Sequence, residues 1–444
     1  MCARIESMSA NGMTPTGASA RGRTRPLPRR PRGAPAHSLF LRCTIIGIAG
    51  VLAAAFGGGA APAAAQENVL RIGAALPLTG GLVHEGKLQK DGYELWKDVV
   101  NEKGGIDVGG KKYRVDIKYY DYASDTPTSA RLVEKLITED GIRFIFGPFG
   151  SGATTASSAV TERHRAIMLA PTASSEQVFS RGYKYLFGIL VPNAAVWRDF
   201  FDVMSKQNPR PQSVAIVARN DLFPLAVANA AQELAQKGGI KVVYFEKYPV
   251  GATDFSSLLI QVKNLAPDVF IATGYTNDLI LITKQARELK VNAKLFAQTA
   301  GPAYQDFTDA LKDSANYIVT PVWWTTTLGW KGSIFGTSKD YTQLFERRYK
   351  YIPDYVTASS SVCGVVLQMA IEQARSLDPA QVRDTMASMT FNTFYGPIKF
   401  AASGMNYTTT VSLVQIQKQK QEVIFPSEIA TSKLEYPTPP WEKR

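Results

Sequence analysis

Between residues 69 and 297 the sequence repeats one pattern, a short β-rich apolar run followed by a longer stretch whose apolar side chains recur at helical spacing. Strands alternating with helices build parallel sheets through right-handed crossovers, so this rhythm narrows the fold to the α/β class. The first series predicts strands at 69–76, 113–120, 144–146 and 167–169, with helices at 88–101, 127–138 and 151–163 between them. In the first helix the periodic residues are Leu88, Tyr93, Leu95, Trp96, Val99 and Val100, closed by Gly104 and Gly105. A second series starts after Pro192, with a helix at 196–206, strands at 214–218, 242–245, 269–272 and 295–297, and helices at 225–236, 255–264 and 279–289. Two such series predict two doubly wound parallel-sheet lobes rather than one barrel.

The last third changes character. Aromatic-rich residues 322–335 lead into helical runs at 341–351 and 356–374, a helix capped after Asp378-Pro379, and strands at 410–415 and 422–425. Residues 427–444, with three prolines between Tyr436 and Trp441, read as an extended tail.

The chain has 50 basic and 38 acidic side chains, a formal charge of +12 that invites a nucleic-acid reading. Eight of those basic residues, Arg4 to Arg42, precede Gln66 and face only Glu6. They are followed by an apolar run at 44–56 and by Ala63-Ala64-Ala65, the three parts of a cleavable export signal. Thirteen apolar residues are too few to cross a bilayer, which takes about 20. Residues 1–65 are therefore read as a signal peptide with a long basic leader, in which Met8 or Met13 is an alternative start, cleaved near Ala65 on the way to the periplasm. From Gln66 onward 42 basic residues face 37 acidic ones, a charge of +5, and the nucleic-acid reading falls away. No later run reaches 18 uninterrupted apolar residues, so a soluble mature protein is expected. Cys363 is left alone in an apolar stretch and reads as a buried, inert thiol. So few Cys and His leave little material for a metal site, and no cofactor motif is found.

In open α/β sheets, ligands bind beyond the carboxyl ends of the strands. Here those loops end at Gly81, Ser151, Ser174, Phe223, Asn277 and Gly301, and they are rich in hydroxyls, glycines and aromatics with few acids. Ser151 opens a predicted helix, where a hydroxyl can cap and free amides favour an anion such as a carboxylate. A plain N-cap is the structural alternative, and Thr172 and Ser174 share the same duality.

In this order the loops resemble the periplasmic solute-binding proteins of the leucine/isoleucine/valine-binding type, receptors of ABC importers. The resemblance rests on residues 72–80 (IGAALPLTG), 101–106 (NEKGGI), 147–151 (GPFGS), 168–174 (MLAPTAS) and Gly274-Tyr275, and it runs from about Val69 to Phe425. It implies two lobes joined by a three-segment hinge, with crossovers near 190–193, 320–323 and 399–403. One lobe is then 66–190 plus 324–398, and the other 191–323 plus 399–426. Ser151, the backbone of Thr172 and the hydroxyl of Ser174 would hold a ligand carboxylate. Phe149, Phe223 and Tyr275 would face the ligand, and Glu85 falls where the family lines its side-chain pocket. Ala300 stands where amino-acid receptors carry an acid for the α-ammonium. Either Glu85 or Asp278 replaces that acid, or the ligand has no ammonium, because a buried unpaired charge is costly. The implied partners are a small amino acid, or an aromatic or aliphatic carboxylate or amide, and an inner-membrane ABC permease, with the receptor itself monomeric.

Trp323, Trp324, Trp330 and Tyr304 would offer a ring-stacking wall, or else core packing at the lobe interface. An enzyme of the Ser/His hydrolase type would pair Ser151 with His84, but no G-x-S-x-G elbow surrounds Ser151 and no third orienting group is found. His84 is expected to be an exposed loop residue.

Overall fold

In the strand β1 (Val69–Leu76) every residue from Ile72 onward is buried, the near-continuous apolar run of a strand covered on both faces. The computed structural model describes residues 68–408 and 410–444, and places β1 at the centre of a six-stranded sheet. The export signal read in residues 1–65 lies outside the described residues. The sheet is completed by β2 (Ile106–Val108), β3 (Lys111–Asp121), β4 (Phe144–Phe146), β5 (Ile167–Ala170) and β6 (Leu186–Gly188), in the order β2-β3-β1-β4-β5-β6. Val69 to Leu76 pair in parallel with Arg114 to Asp121, and Gly73 pairs with Ile145 on the other side. Only the short β2 runs antiparallel, as a hairpin with β3.

The second sheet has seven strands: β7 (Ser213–Arg219), β8 (Lys241–Tyr248), β9 (Val269–Thr273), β10 (Leu295–Gln298), β11 (Val319–Val322), and two from the C-terminal part. The pairs β12 (Lys331–Gly332) with β13 (Gly336–Thr337), and β14 (Thr390–Thr393) with β15 (Gly396–Lys399), form two small separate ribbons. β16 (Ser412–Gln417) and β17 (Lys420–Phe425) then extend the second sheet in the order β17-β16-β11-β10-β9-β7-β8. β16 runs antiparallel to β11 within this otherwise parallel-dominated sheet, and β17 folds back antiparallel on β16. The β16–β17 reversal is local: Lys418 (φ 49°) and Gln419 (φ 61°) are both left-handed, the two-residue turn that folds one strand straight back on another.

Among the elements that apolar periodicity does not reveal are β2, β6 and β11. β2 and β6 have three residues each, too few for periodicity to register. β11 carries Pro321, which argues against a strand, yet pairs Pro321 with Leu413.

We call the layers on the two sheets the first and second lobes. The chain passes between the sheets through 189–212, after Val322, and through 400–411. The first and third passages touch at a bridge between Gly188 and Met405. Beside it Gly404 (φ 83°) is obligatory, since a Cβ there would lie 1.9 Å from the Leu186 carbonyl oxygen. The helix Tyr355–Ala374 is buried almost all round within the first lobe, and Cys363 sits inside it, unpaired and with its thiol pushed up by burial. Residues 427–444 are extended but docked: the Thr438 amide donates to the Lys294 carbonyl at 2.8 Å, and Trp441 is buried against Phe296. Among the described residues no helix is long and apolar enough to cross a membrane, and no group of His, Cys, Asp and Glu is arranged to hold a metal ion.

Candidate functional site

The first-lobe wall is built at the carboxyl ends of β4 and β5. Gly150 (φ 80°) turns the chain from β4 into the helix Gly150–Arg163. A Cβ at Gly150 would stand 3.1 Å from the Tyr275 hydroxyl, which comes from the second lobe. Ser151 therefore lies one residue inside the helix, and its hydroxyl does not cap it. It accepts instead from the backbone amides of Ser174 (3.3 Å) and Ser175 (3.2 Å), tying the β5 loop to the helix start. Thr172 contributes its side chain as well, with Oγ1 accepting from the Gly150 amide at 3.0 Å. Ser174 is fully buried and its hydroxyl has no partner.

The second-lobe wall begins at the carboxyl ends of β7 and β9. Asp221 caps the helix Leu222–Lys237 by accepting from the Leu222 amide at 2.7 Å. The helix thus starts three residues earlier than the sequence suggested, and Phe223 sits in its first turn rather than in a loop. Tyr275 precedes the helix Thr276–Glu288, and burial pushes its phenol well up. From it a row of rings crosses the lobe interface. Phe149 meets Tyr275 edge-on at 5.4 Å, Phe223 stacks on Tyr275 at 6.1 Å, and Trp323 lies 6.1 Å from Phe223 and 4.9 Å from Tyr355. The hydroxyls of Tyr304 and Tyr355 meet at 2.8 Å.

Three polar contacts close the lobes along residues 81–85. The Thr276 hydroxyl and amide donate to Glu85 Oε1 at 2.7 and 3.3 Å. Asn277 Nδ2 donates to the Gly81 carbonyl at 3.1 Å, and His84 Nδ1 stands 2.9 Å from Asp306. His84 is not the exposed loop residue expected from sequence. The helix Val83–Glu102 starts earlier than its apolar period shows, which turns the His84 side chain, 18% exposed, toward the second lobe. Burial lowers its basicity, but the Asp306 hydrogen bond and the charges of Glu85, Asp306 and Asp354 outweigh this and raise it.

Two other expectations are corrected. Asp278 cannot replace the missing acid, because Arg219 holds both its oxygens at 2.9 and 3.1 Å and the Tyr275 amide donates to it. Trp330 is 43% exposed and takes no part in the ring row, while Trp324 packs into the first lobe against Tyr341 and Phe394. Ala300 is buried and left-handed (φ 59°, ψ −73°), at the centre of a γ-turn in which the Gly301 amide donates to Thr299 at 2.7 Å. Beside the ring row runs an open groove of about 600 Å³, lined by Trp324, Asp354 and Tyr355 on one side and by Val322, Gln421 and Glu422 on the other. Asp354 caps the helix Tyr355–Ala374 from the Val356 and Thr357 amides, and burial pushes its carboxyl up to about 7.

The structure therefore brings Ser151, Thr172, Ser174, Phe149 and Glu85 of one lobe against Tyr275 and Phe223 of the other. Sequence reasoning missed Thr276, Asp306, Asp354 and Tyr355. Thr276, Asp306 and Tyr355 find their partners far along the chain, Thr276 lying 191 positions after Glu85, so no local signal marks them, whereas Asp354 caps the helix that follows it and is the one with a local signal.

Relatives share this architecture. The Leu/Ile/Val-binding protein homolog 8 of Brucella abortus (strain 2308) is 24% identical over 389 residues, covering 83% of this chain and 93% of the relative. The leucine-, isoleucine-, valine-, threonine- and alanine-binding protein of Pseudomonas aeruginosa is 23% identical over 349 residues, covering 78% and 89%. Among solved structures, LivJ of Streptococcus pneumoniae in complex with isoleucine superposes with a TM-score of 0.72 at 21% identity, covering 81% of this chain and 100% of that one. A solute-binding protein from R. palustris in complex with benzoate gives a TM-score of 0.70 at 18% identity, covering 83% and 100%. The profile described as periplasmic binding protein matches residues 69–421, most of the sequence, and the chain belongs to that family.

Proposed function

We propose that this chain is the extracytoplasmic receptor of an ABC importer, which takes a small carboxylate-bearing ligand between its lobes and presents it to an inner-membrane permease. The observation that carries this reading is the start of the helix Gly150–Arg163. Ser151, Thr172 and the unpartnered Ser174 hydroxyl gather there, opposite Tyr275 and Phe223 of the other lobe. Helix N-termini favour anions, and contacts from both lobes favour a closed state. The relatives named for branched-chain amino acids and the neighbour holding benzoate support a carboxylate of either kind. Ala300 leaves the carboxylate without an adjacent acid, which favours ligands lacking an α-ammonium. Residues 1–65 act as the export signal, the lobes are 66–190 plus 324–398 and 191–323 plus 399–426, and the receptor works as a periplasmic monomer without nucleic acid.

A receptor rather than a hydrolase is supported by the hydrogen bonds at hand. Ser151 is engaged by two amides, His84 faces Asp306, and His164 faces Glu134 at 2.6 Å. The test is a thermal-shift screen of amino acids, aromatic acids, aliphatic acids and amides. A micromolar ligand at millimolar concentration stabilises by about 4 kcal/mol. No stabilisation by any of these, or ester hydrolysis abolished by Ser151→Ala, overturns the reading.

A further inference from the structure

Glu85 is 1% exposed, and among the described residues its hydrogen-bond partner is Thr276, reached across the cleft. Tyr275 directly precedes Thr276, Tyr304 packs on His84, the neighbour of Glu85, with ring centroids 5.5 Å apart, and the Tyr355 hydroxyl meets that of Tyr304 at 2.8 Å, so aromatic side chains flank the segment that carries the carboxylate. Arg219 lies over Tyr275 at 5.1 Å but holds Asp278, and His84, although the Glu85 charge helps to raise it, gives its Nδ1 to Asp306. A buried carboxylate among aromatic faces is the environment that takes up a cation, by charge and by the ring quadrupoles together.

Polar groups of the opposite need lie elsewhere in the cleft. Ser174 Oγ, beside the start of the helix Gly150–Arg163, and Trp323 Nε1, in the ring row, are both buried and both without a partner among the described residues. The indole N–H can only donate and the hydroxyl can donate, so both suit a carboxylate.

The two ends stand apart. Glu85 bonds to Thr276 where the Tyr275 side chain leaves the backbone, whereas the far tip of that side chain, its hydroxyl, lies against Gly150 at the helix start. The separation is about the length of a tyrosine side chain, longer than the one-carbon gap between carboxylate and ammonium in an α-amino acid.

Resting on the receptor reading above, we propose that Glu85 and its tyrosine cage select a zwitterion whose ammonium is several bonds from its carboxylate, an ω-amino carboxylate rather than an α-amino acid. Titration calorimetry of the purified protein with 5-aminopentanoate and 6-aminohexanoate, the matching pentanoate and hexanoate, leucine and benzoate tests it. The ω-amino acids are expected to bind at least 30-fold more tightly than the acids lacking nitrogen. Glu85→Gln, which keeps the size of the side chain and an acceptor for Thr276, is expected to erase that difference, and Glu85→Asp to restore part of it. Tighter binding of leucine, benzoate or the plain acids, or an unchanged preference in a folded Glu85→Gln variant, overturns the proposal while the receptor reading stands. Binding of none of these carboxylates by the wild-type protein overturns the proposal, while the receptor reading is decided by the wider thermal-shift screen.

Discussion

His84 Nδ1 lies 2.9 Å from Asp306 Oδ2, and the two residues belong to opposite lobes. The pair joins the first turn of the helix Val83–Glu102 to that of the helix Gln305–Leu311, beside the Glu85–Thr276 and Asn277–Gly81 contacts. Closure of the cleft is thus partly an ionic contact, on the edge that holds Glu85.

That contact makes stability depend on pH in a defined window. His84 is raised from its ordinary 6.5, so its contribution is complete below 6.5 and fades as pH rises through the raised value. Asp306 is lowered from 3.8, chiefly by the His84 hydrogen bond, so its contribution is complete above 3.8 and fades as pH falls through the lowered value. The difference in thermal midpoint between wild type and His84→Gln is expected to be largest between these two ordinary values. At its maximum the corresponding difference in unfolding free energy should reach about 0.5–1 kcal/mol, because Asp306 is largely exposed. A difference independent of pH would show that the pair carries no charge interaction.

Asp354 titrates in the opposite sense to Asp306. Burial pushes its carboxyl from 3.8 up to about 7, against the capping amides of Thr357 and Val356. The native state therefore favours the protonated form, and stability is lost as pH rises through about 7. Asn caps helices as well as Asp. Asp354→Asn should match wild type below about pH 3.8, where the carboxyl is protonated in folded and unfolded chains alike, and exceed it by about 1–2 kcal/mol at pH 8, read from denaturant melts at both pH values. Loss of stability at pH 8 would mean that the charge is needed there.

The sequence rhythm was enough to assign most strands and helices, because apolar periodicity is a local property that the core enforces. Val69–Leu76, Phe144–Phe146 and Tyr355–Ala374 lie where that periodicity puts them, to within a residue. Helix starts were less legible. Val83–Glu102 and Leu222–Lys237 begin three to five residues before their apolar stripe, on residues chosen for the lobe interface rather than for the core. This is why apolar spacing alone places His84 and Phe223 in loops. The strand-end loops that gather at the site were visible, since chain order and topology fix where strands end. The pairings across the cleft were not. Whether Asp278 faces a ligand or Arg219 depends on a neighbour 59 residues away, and nothing in either segment encodes the choice.

Ala300 stores backbone strain at the cleft. A non-glycine residue with φ 59° and ψ −73° lies outside the regions open to L-residues, at a cost of about 1–3 kcal/mol. Ala300→Gly should relieve part of it and raise unfolding free energy by about 1 kcal/mol, with a smaller gain if the unfolded chain benefits from glycine's freedom. Ala300→Val should lower it by more than this. Chemical denaturation of the three proteins at one pH decides the matter, and a destabilised Gly variant would place the strain elsewhere.

Trp441 fastens the C-terminal segment to the second lobe by two separable means. Its ring is 7% exposed and packs against Phe296 at 5.3 Å with the Arg444 guanidinium over it at 3.9 Å, while its Nε1 donates to the Val291 carbonyl at 2.6 Å. Trp441→Ala removes both and should cost about 3–5 kcal/mol if the second lobe unfolds with the rest. Trp441→Phe keeps an aromatic ring but leaves the buried carbonyl without its donor, at about 1–3 kcal/mol. Equilibrium unfolding and limited proteolysis give the readout. Equal losses for Ala and Phe would mean that the hydrogen bond, not the ring, holds the segment, whereas no loss in Trp441→Ala would mean that the segment is held by the Thr438–Lys294 bond and its neighbours instead.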